Sequence, residues 1–417
     1  MTQVPSYDSA FITDGDKEQF IESLNVPEEL KTVPGNPTRP ADERYHAYAY
    51  PEQPFFRTPN YELYDAYMGR QHRDITTAKS HSQVATEMHG EELEELRKTV
   101  WSYHLKPASR KKDPSEDLAG ALKAKAKEMG FAVVGITKFE RKYVFKDFKR
   151  RAKFKNLVIV GIEQPWEPVQ TSPSIESYMS NFKATIPSYS LAVGLADWVR
   201  STGYRVQFVV ASQGGIQLSL APVLPYAVAA GLGQMGANGQ LLTPMFGSRI
   251  RLCAFSTDAP LSYDKPVDYG INKLCEKCQV CVRRCPGKAL PKVKVWWRGA
   301  LKYKTIADRC LPMLGQYDGC SICIKVCPVQ RYGLKEVLDH YNETGKVLGK
   351  GTDELEAYTL PNKGYFPSGQ MPVFSTEEGS RGMIAMGNKL KLRPVRRKRL
   401  GHMPGIGSEA SQTKVDI

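Results

Sequence analysis

An α+β protein is the fold class the sequence predicts, and three observations carry the prediction. Helical and strand-like stretches alternate through residues 115–270, eight cysteines crowd into residues 275–327, and no apolar run reaches the length of a membrane-spanning helix. The most apolar stretch, "LSLAPVLPYAVAAGLGQM", is interrupted by prolines and glycines. With 417 residues, 41% of them hydrophobic, and a mean hydropathy of −0.41, the chain has room for two or three globular domains.

Residues 1–112 form the first segment, expected to wrap around the rest as an extension. Its stretch "RYHAYAYPEQPFFRTPNYELY" is too aromatic for a free tail but has no clean period, whereas "GEELEELRKTVWSYHL" reads as a helix. The start, "MTQVPSYDSAFITDGDKEQF", has no basic head, apolar core or twin arginine, so the expected compartment is the cytoplasm. There, cysteines stay reduced or bind metal rather than form a disulfide frame.

Residues 113–270 are expected to form a layered α/β domain. In "DPSEDLAGALKAKAKEMG", Leu118, Leu122 and Met129 share one helical face, acid and serine precede it, and Gly130 stops it. The runs "FAVVGI" and "NLVIVGI" read as buried strands. A second helix is predicted to start at Pro187 and run to Gly203, followed by strand "YRVQFVVA". Residues 271–335 hold the cysteines, and residues 336–417 form a C-terminal segment of docked and loose pieces. The net charge of +14 is uneven, for residues 388–400, "NKLKLRPVRRKRL", carry seven basic residues and no acid. Such a tail is either simply solvated, a dock for an acidic redox partner, or an RNA contact.

Cys275, Cys278, Cys281 and Cys285, followed by Pro286, spell C-x2-C-x2-C-x3-C-P. This is the spacing of a 4Fe–4S loop, in which three thiolates wrap one cubane and the fourth reaches a neighbouring one. Cys320, Cys323, Cys327 and Pro328 repeat the ending, with Cys310 upstream as the missing first ligand. Crossed ligation puts one cluster on Cys275, Cys278, Cys281 and Cys327, and the other on Cys310, Cys320, Cys323 and Cys285. Structural zinc sites use pairs of pairs rather than triplets ending in Cys-Pro. Cys253 lies outside both sets and reads as a small core residue. Two fully ligated cubanes relay single electrons and do no bond chemistry, so an acceptor is expected in the α/β domain.

The glycines of "AGLGQMGANG" match G-x-G-x-x-G at Gly231, Gly233 and Gly236, but "PVLPYAVAA" before them reads as a short helix rather than a strand, which argues against a dinucleotide site. A wider pattern accounts for them. An AGLG-x-x-G-x-NG turn, then "LLTP", "GSRIR", Thr257-Asp258 and Asp264-Lys265-Pro266, leads directly into the double cysteine motif. This order resembles the cobalamin-dependent reductive dehalogenases over roughly residues 116–330, with "SPS" at 172–174 and "LADWVRSTGY" at 195–204 as further landmarks. The epoxyqueuosine reductases, a sister family, share the turn and both clusters. They carry an aspartate as proton donor two residues before the Ala-Pro step, where this chain has Ser219.

The resemblance implies a nitroreductase-like corrinoid-binding domain followed by a bacterial ferredoxin-like double-cluster domain. It implies cobalamin beside the nearer cluster, reduced to Co(I), which attacks or binds the halogen of an organohalide, with an aromatic substrate expected. A tyrosine supplies the replacing proton, and a cation makes its phenol a better acid. Carried over by position, the cation is Arg251, with Arg249 as a surface alternative. The tyrosine is Tyr189, supported by Thr185, with Tyr178 as runner-up. Gly231, Gly233, Thr243 and Arg251 are implied at the corrinoid. Where respiratory members hold an asparagine, this chain offers Gln213 or Gln217. A separate soluble donor, a ferredoxin or flavodoxin, fits the basic charge. The competing functions are a tRNA-modifying reductase and a plain electron-transfer protein.

Overall fold

The computed structural model describes residues 13–31, 81–109, 117–145, 148–211, 218–297, 300–306, 309–310, 313–314, 317 and 319–374. The aromatic stretch at 44–64, Gln213, Gln217 and the basic run at 388–400 lie outside the described residues.

Helix α1 (Asp14–Ser23) is capped by Thr13, whose hydroxyl accepts from the Asp16 amide, and Asp14 and Asp16 complement its dipole. Helix α2 (His81–Ser102) breaks regularity at Gly90, with φ +38°. Helix α3 (Leu118–Glu128) is capped by Asp117 and stopped by Gly130 in the left-handed region, as the sequence predicts. Strands β1 (Val133–Lys138) and β2 (Asn156–Glu163) follow, then the short helix α4 (Trp166–Gln170) and the long α5 (Ile175–Ser201). Next come β3 (Val206–Ala211), β4 (Leu218–Ser219), α6 (Leu224–Ala229), β5 (Gln234–Met235), β6 (Leu241–Leu242) and β7 (Ile250–Thr257).

Five of these strands form one sheet in the order β1-β2-β7-β3-β4, and every pairing in it is antiparallel. The last strand, β7, sits in the middle: its start pairs with the end of β2, Ile250 opposite Glu163, while the end of β3 reaches it only as far as Ala254. All six residues of β3 are buried, as expected of a strand covered on both faces. Gly135 in β1 lets the end of α6 approach, because a Cβ there would stand 2.8 Å from that of Ala230.

Helix α5 departs from expectation. It begins at Ile175, with the Ser174 hydroxyl accepting from the Ser177 amide, and runs through Pro187 instead of starting there. The proline removes one N–H from the ladder, and hydroxyls supply bonds nearby: Thr185 donates to the Asn181 carbonyl at 2.6 Å and Ser188 to that of Thr185 at 2.8 Å. Tyr178 and Tyr189 therefore lie three turns apart on one face of a single helix.

The cysteine region begins with α7 (Ile271–Cys278) and α8 (Val280–Arg284), and after the hairpin β8 (Val295–Trp297) and β9 (Ala300–Lys302) comes α9 (Ile322–Lys325). Gln279 (φ +54°) and Ser321 (φ +53°) are left-handed non-glycine residues at the same place in both halves, just after the second cysteine of each set of four. Helices α10 (Pro328–Tyr332), α11 (Leu334–Thr344) and α12 (Asp353–Glu356), then the hairpin β10 (Tyr358–Leu360) and β11 (Gly364–Phe366), complete the described chain.

Two buried cations fasten the ends to the centre. Lys17 of α1 donates to the Ala230 carbonyl at 3.0 Å beside Asp264, which also accepts from Lys123 at 2.7 Å and from the Ile136 amide at 2.7 Å. Arg284 donates to the carbonyls of Glu356 at 2.9 Å and Phe366 at 3.1 Å, with its guanidinium 4.6 Å from the centre of the Tyr358 ring. One contiguous apolar core runs from Leu24 to Leu360.

Candidate active site and metal centres

The eight motif cysteines fall into two groups of four by which thiols feel one another. Cys281 senses Cys275, Cys278 and Cys327, while Cys323 senses Cys320, Cys285 and Cys310. Each group thus draws three cysteines from its own half and one from the other, and the two meet where Cys323 senses Cys327. Burial pushes all eight thiols up, Cys310 and Cys327 to about 12. Backbone N–H groups oppose that rise. Cys285 has those of Ala289, Gly287, Leu290 and Lys288 around its sulfur, and Cys327 those of Gln330 and Val329. Donors aimed at buried sulfur suit a thiolate whose charge a metal balances, so this donor set fits iron–sulfur clusters. Among the described residues no three His, Cys, Asp or Glu side chains converge on one ion. A cubane asks for no such convergence, since each of its thiolates holds a different iron.

The glycine-rich turn serves the first group. Gly233 meets the chain's own backbone, with a Cβ there 2.2 Å from the Leu242 carbonyl oxygen, and Gly231 (φ +65°) would meet that of Lys265 at 2.4 Å. No room is left for a phosphate. The tight turn brings Ala237 and Asn238 to an apolar chamber walled by Cys275, Cys278, Cys281 and Cys327, where the Ala237 N–H faces the Cys275 sulfur. Thr243 donates to the Gly247 carbonyl at 3.1 Å and accepts from the Phe246 amide at 3.2 Å, closing the next turn. Gly231, Gly233 and Thr243 therefore lie outside the lining of the neighbouring cavity, occupied by the fold of the turns themselves.

That cavity, about 430 Å³, opens between the α/β sheet and the second cysteine group. Its walls come from the first turns of α5 (Tyr178, Asn181), the start of β7 (Ile250, Arg251), and Gly319, Ser321 and Ile324, which flank Cys320 and Cys323. The second group is thus the one whose chain neighbours line the cavity.

Arg251 presents the cation of the wall. Burial lowers its guanidinium to about 10, opposed by the Tyr189 phenol nearby, and it stays charged at neutral pH. Its Nη2 donates to Gln164 Oε1, and its buried Nε has no partner among the described residues. Tyr189 is buried beside this cation, whereas Tyr178 stands on the cavity wall with its ring against Gly319 and edge-on to Phe182 at 5.2 Å. Arg249 is no surface residue. It is only 2% exposed, paired with Glu163 and bonded to the Gln164 carbonyl at 2.7 Å, because it precedes β7 and turns under the end of β2. Ser219 points its hydroxyl at the Ala221 carbonyl, 3.2 Å away, and Cys253 is a core residue donating to the Val210 carbonyl.

Sequence reasoning missed Gln164. It is 2% exposed, and its amide nitrogen donates to Ser180 Oγ at 2.8 Å while its oxygen holds Arg251. Its place immediately after a strand, in "GIEQPW", is the available signal, since strand ends carry site residues in layered α/β folds.

No protein-family model matches the chain. The tetrachloroethene reductive dehalogenase of Sulfurospirillum multivorans is 31% identical over 185 residues, 42% of this chain and 35% of that protein. An epoxyqueuosine reductase of a Synechococcus strain is 35% identical over 119 residues, 27% of this chain and 36% of that protein. The chain thus aligns with about a third of the length of these curated relatives. Among solved structures, a catabolic reductive dehalogenase superposes with a TM-score of 0.54 at 18% identity, covering 92% of this chain and 52% of that one. Another, whose structure suggests a mechanism for B12-dependent dehalogenation, gives 0.50 at 21% identity, covering 73% and 41%. The resemblance to reductive dehalogenases read from the motifs is shown by these matches, and the fold is shared with the solved members.

Proposed function

We propose that the chain is a corrinoid- and iron–sulfur-dependent reductive dehalogenase that replaces halogen by hydrogen in an organohalide. One observation carries this reading: a single cavity has Arg251, with Tyr189 beside it, on one wall and the residues flanking Cys320 and Cys323 on the other. Electron delivery and proton delivery meet there. The matched relatives named reductive dehalogenases, and the neighbour described as B12-dependent, support it.

In this reading Cys275, Cys278, Cys281 and Cys327 hold the outer 4Fe–4S cluster. Cys285, Cys310, Cys320 and Cys323 hold the one beside the cavity. A corrinoid held where this cavity opens, between Arg251 and the turn around Cys320, would supply the reductant that cleaves the carbon–halogen bond. The chain's own residues do the rest. Arg251 keeps a positive charge next to the phenol of Tyr189, which favours its phenolate and so eases loss of the proton. Gln164 holds Arg251 through a neutral oxygen, orienting the guanidinium without cancelling its charge. The side chains of Ile250, Leu252 and Ile324 give the cavity apolar surface that suits an aromatic substrate. A soluble ferredoxin or flavodoxin acts as donor, entering at the outer cluster, and the cytoplasm is the proposed compartment.

Tyr178 is the second candidate for the acid, favoured by its place on the cavity wall. Halide release from a brominated phenol by Tyr189→Phe and Tyr178→Phe proteins, each with full metal content, separates them. Loss only in Tyr189→Phe supports the assignment; loss only in Tyr178→Phe transfers it. An epoxyqueuosine reductase activity is disfavoured by Ser219, a hydroxyl where that family has its acid. Turnover of a modified tRNA without halide release overturns the proposal.

A further inference from the structure

A second cavity, about 410 Å³, shares no lining residue with the first. We propose that it binds a small organic anion with a flat, apolar body. Its floor is apolar, from Trp101, Phe208 and Leu220, and its rim carries Arg150, Arg151 and Lys153, with His104 between.

The loop bearing these cations is built, not loose. Gln207, buried in β3, spends both ends of its amide on it: Nε2 donates to the Arg151 carbonyl at 2.8 Å and Oε1 accepts from the Lys153 amide at 3.0 Å. Arg141 adds a bond to the Ala152 carbonyl. Phe154 and Ala152 are buried beneath, and the Arg151 guanidinium lies 5.8 Å from the centre of the Phe148 ring. The backbone is thus pinned over the sheet while three exposed cations face one concavity. None of the three forms an ion pair among the described residues, although cations elsewhere on this surface, Arg200 and Arg205, have their aspartates. Like charges held together without a counter-ion cost free energy unless an anion neutralises them. Burial, and then the charges of Lys153 and Arg151, lower the His104 imidazole. An apolar floor with a cationic rim selects a ring bearing a carboxylate or phosphate, and the guanidinium fork suits either head group.

Equilibrium dialysis of anaerobic holoprotein against 4-hydroxybenzoate and against AMP tests this, with inorganic phosphate as competitor. Saturable binding of at least one organic anion is expected, weakened at least ten-fold in an Arg151→Ala/Lys153→Ala protein with unchanged iron content. Trp101→Leu should weaken it similarly, and Arg251→Met should not. Which of the two anions binds identifies the head group. The proposal is overturned if neither binds, if the double variant binds as well as the parent, or if phosphate alone competes at equal concentration. It is equally overturned if only an RNA stem–loop occupies the site. None of these results bears on halide release, which tests the redox centre separately.

Discussion

At the scale of single residues, the redox cavity depends on how one guanidinium is held. Arg251 sits beside Tyr189 and takes its orientation from Gln164, whose other end is fixed on Ser180. Gln164→Leu removes the anchor but not the charge, and a freed guanidinium no longer points at the phenol. Turnover should fall roughly ten-fold or more with metal content intact, measured as halide release. Gln164→Glu tests the charge itself. A carboxylate at that place would pair with Arg251 and raise the phenol, so the titration of Tyr189, followed by a ring-labelled tyrosine signal in apoprotein, should move to higher pH. An unmoved titration would remove Gln164 from the account. Motif position names Arg251 and the two tyrosines as candidates, and the structure brings Arg251 and Tyr178 to one cavity with Tyr189 near Arg251. Gln164 was not legible, because nothing in its neighbours' spacing distinguishes a buried amide at a strand end from an ordinary loop residue.

At the scale of elements, turns and one long helix set the geometry. The packing of Gly233 against the Leu242 carbonyl predicts that Gly233→Ala costs about 3 kcal/mol, read from denaturant unfolding of the reconstituted protein. It should also disturb the first cysteine group, since Ala237 follows in the same turn. Asp264 ties α1 and α3 to β1 by accepting from Lys123 and the Ile136 amide beside Lys17. Asp264→Ala takes the nearby carboxylate from buried Lys17 and leaves Lys123 only that of Asp14, and should destabilise by about 3 kcal/mol. An effect under 1 kcal/mol would mean the N-terminal helix contributes little. The strand runs and α3 were readable because period and caps agree with burial. The start of α5 was misread because a proline that suits a first turn was tolerated inside a helix, where neighbouring hydroxyls bond the local carbonyls. That error hid the common face of Tyr178 and Tyr189.

At the scale of the whole molecule, the two cysteine groups meet at Cys323 and Cys327, and residues flanking the second line the cavity. The crossed pairing of cysteines was legible because C-x2-C-x2-C-x3-C-P is a local code. The cavity was not, since β7 brings Arg251 to residues flanking Cys320 only once the sheet has formed. With a net charge of +14, reduction by an acidic soluble donor should slow as salt rises from 0.05 to 0.5 M, about as the Debye length shortens. A rate indifferent to salt would argue for another route of entry. The central claim is that two cubanes stand next to a corrinoid. The most direct measurement is iron, acid-labile sulfide and cobalt on anaerobically prepared protein supplied with cobalamin, with spin-resonance spectra of the same sample. The account predicts about eight iron, about eight sulfide and about one cobalt per chain, with the reduced clusters magnetically coupled. Zinc in place of iron, or protein that takes up no cobalamin, would contradict it.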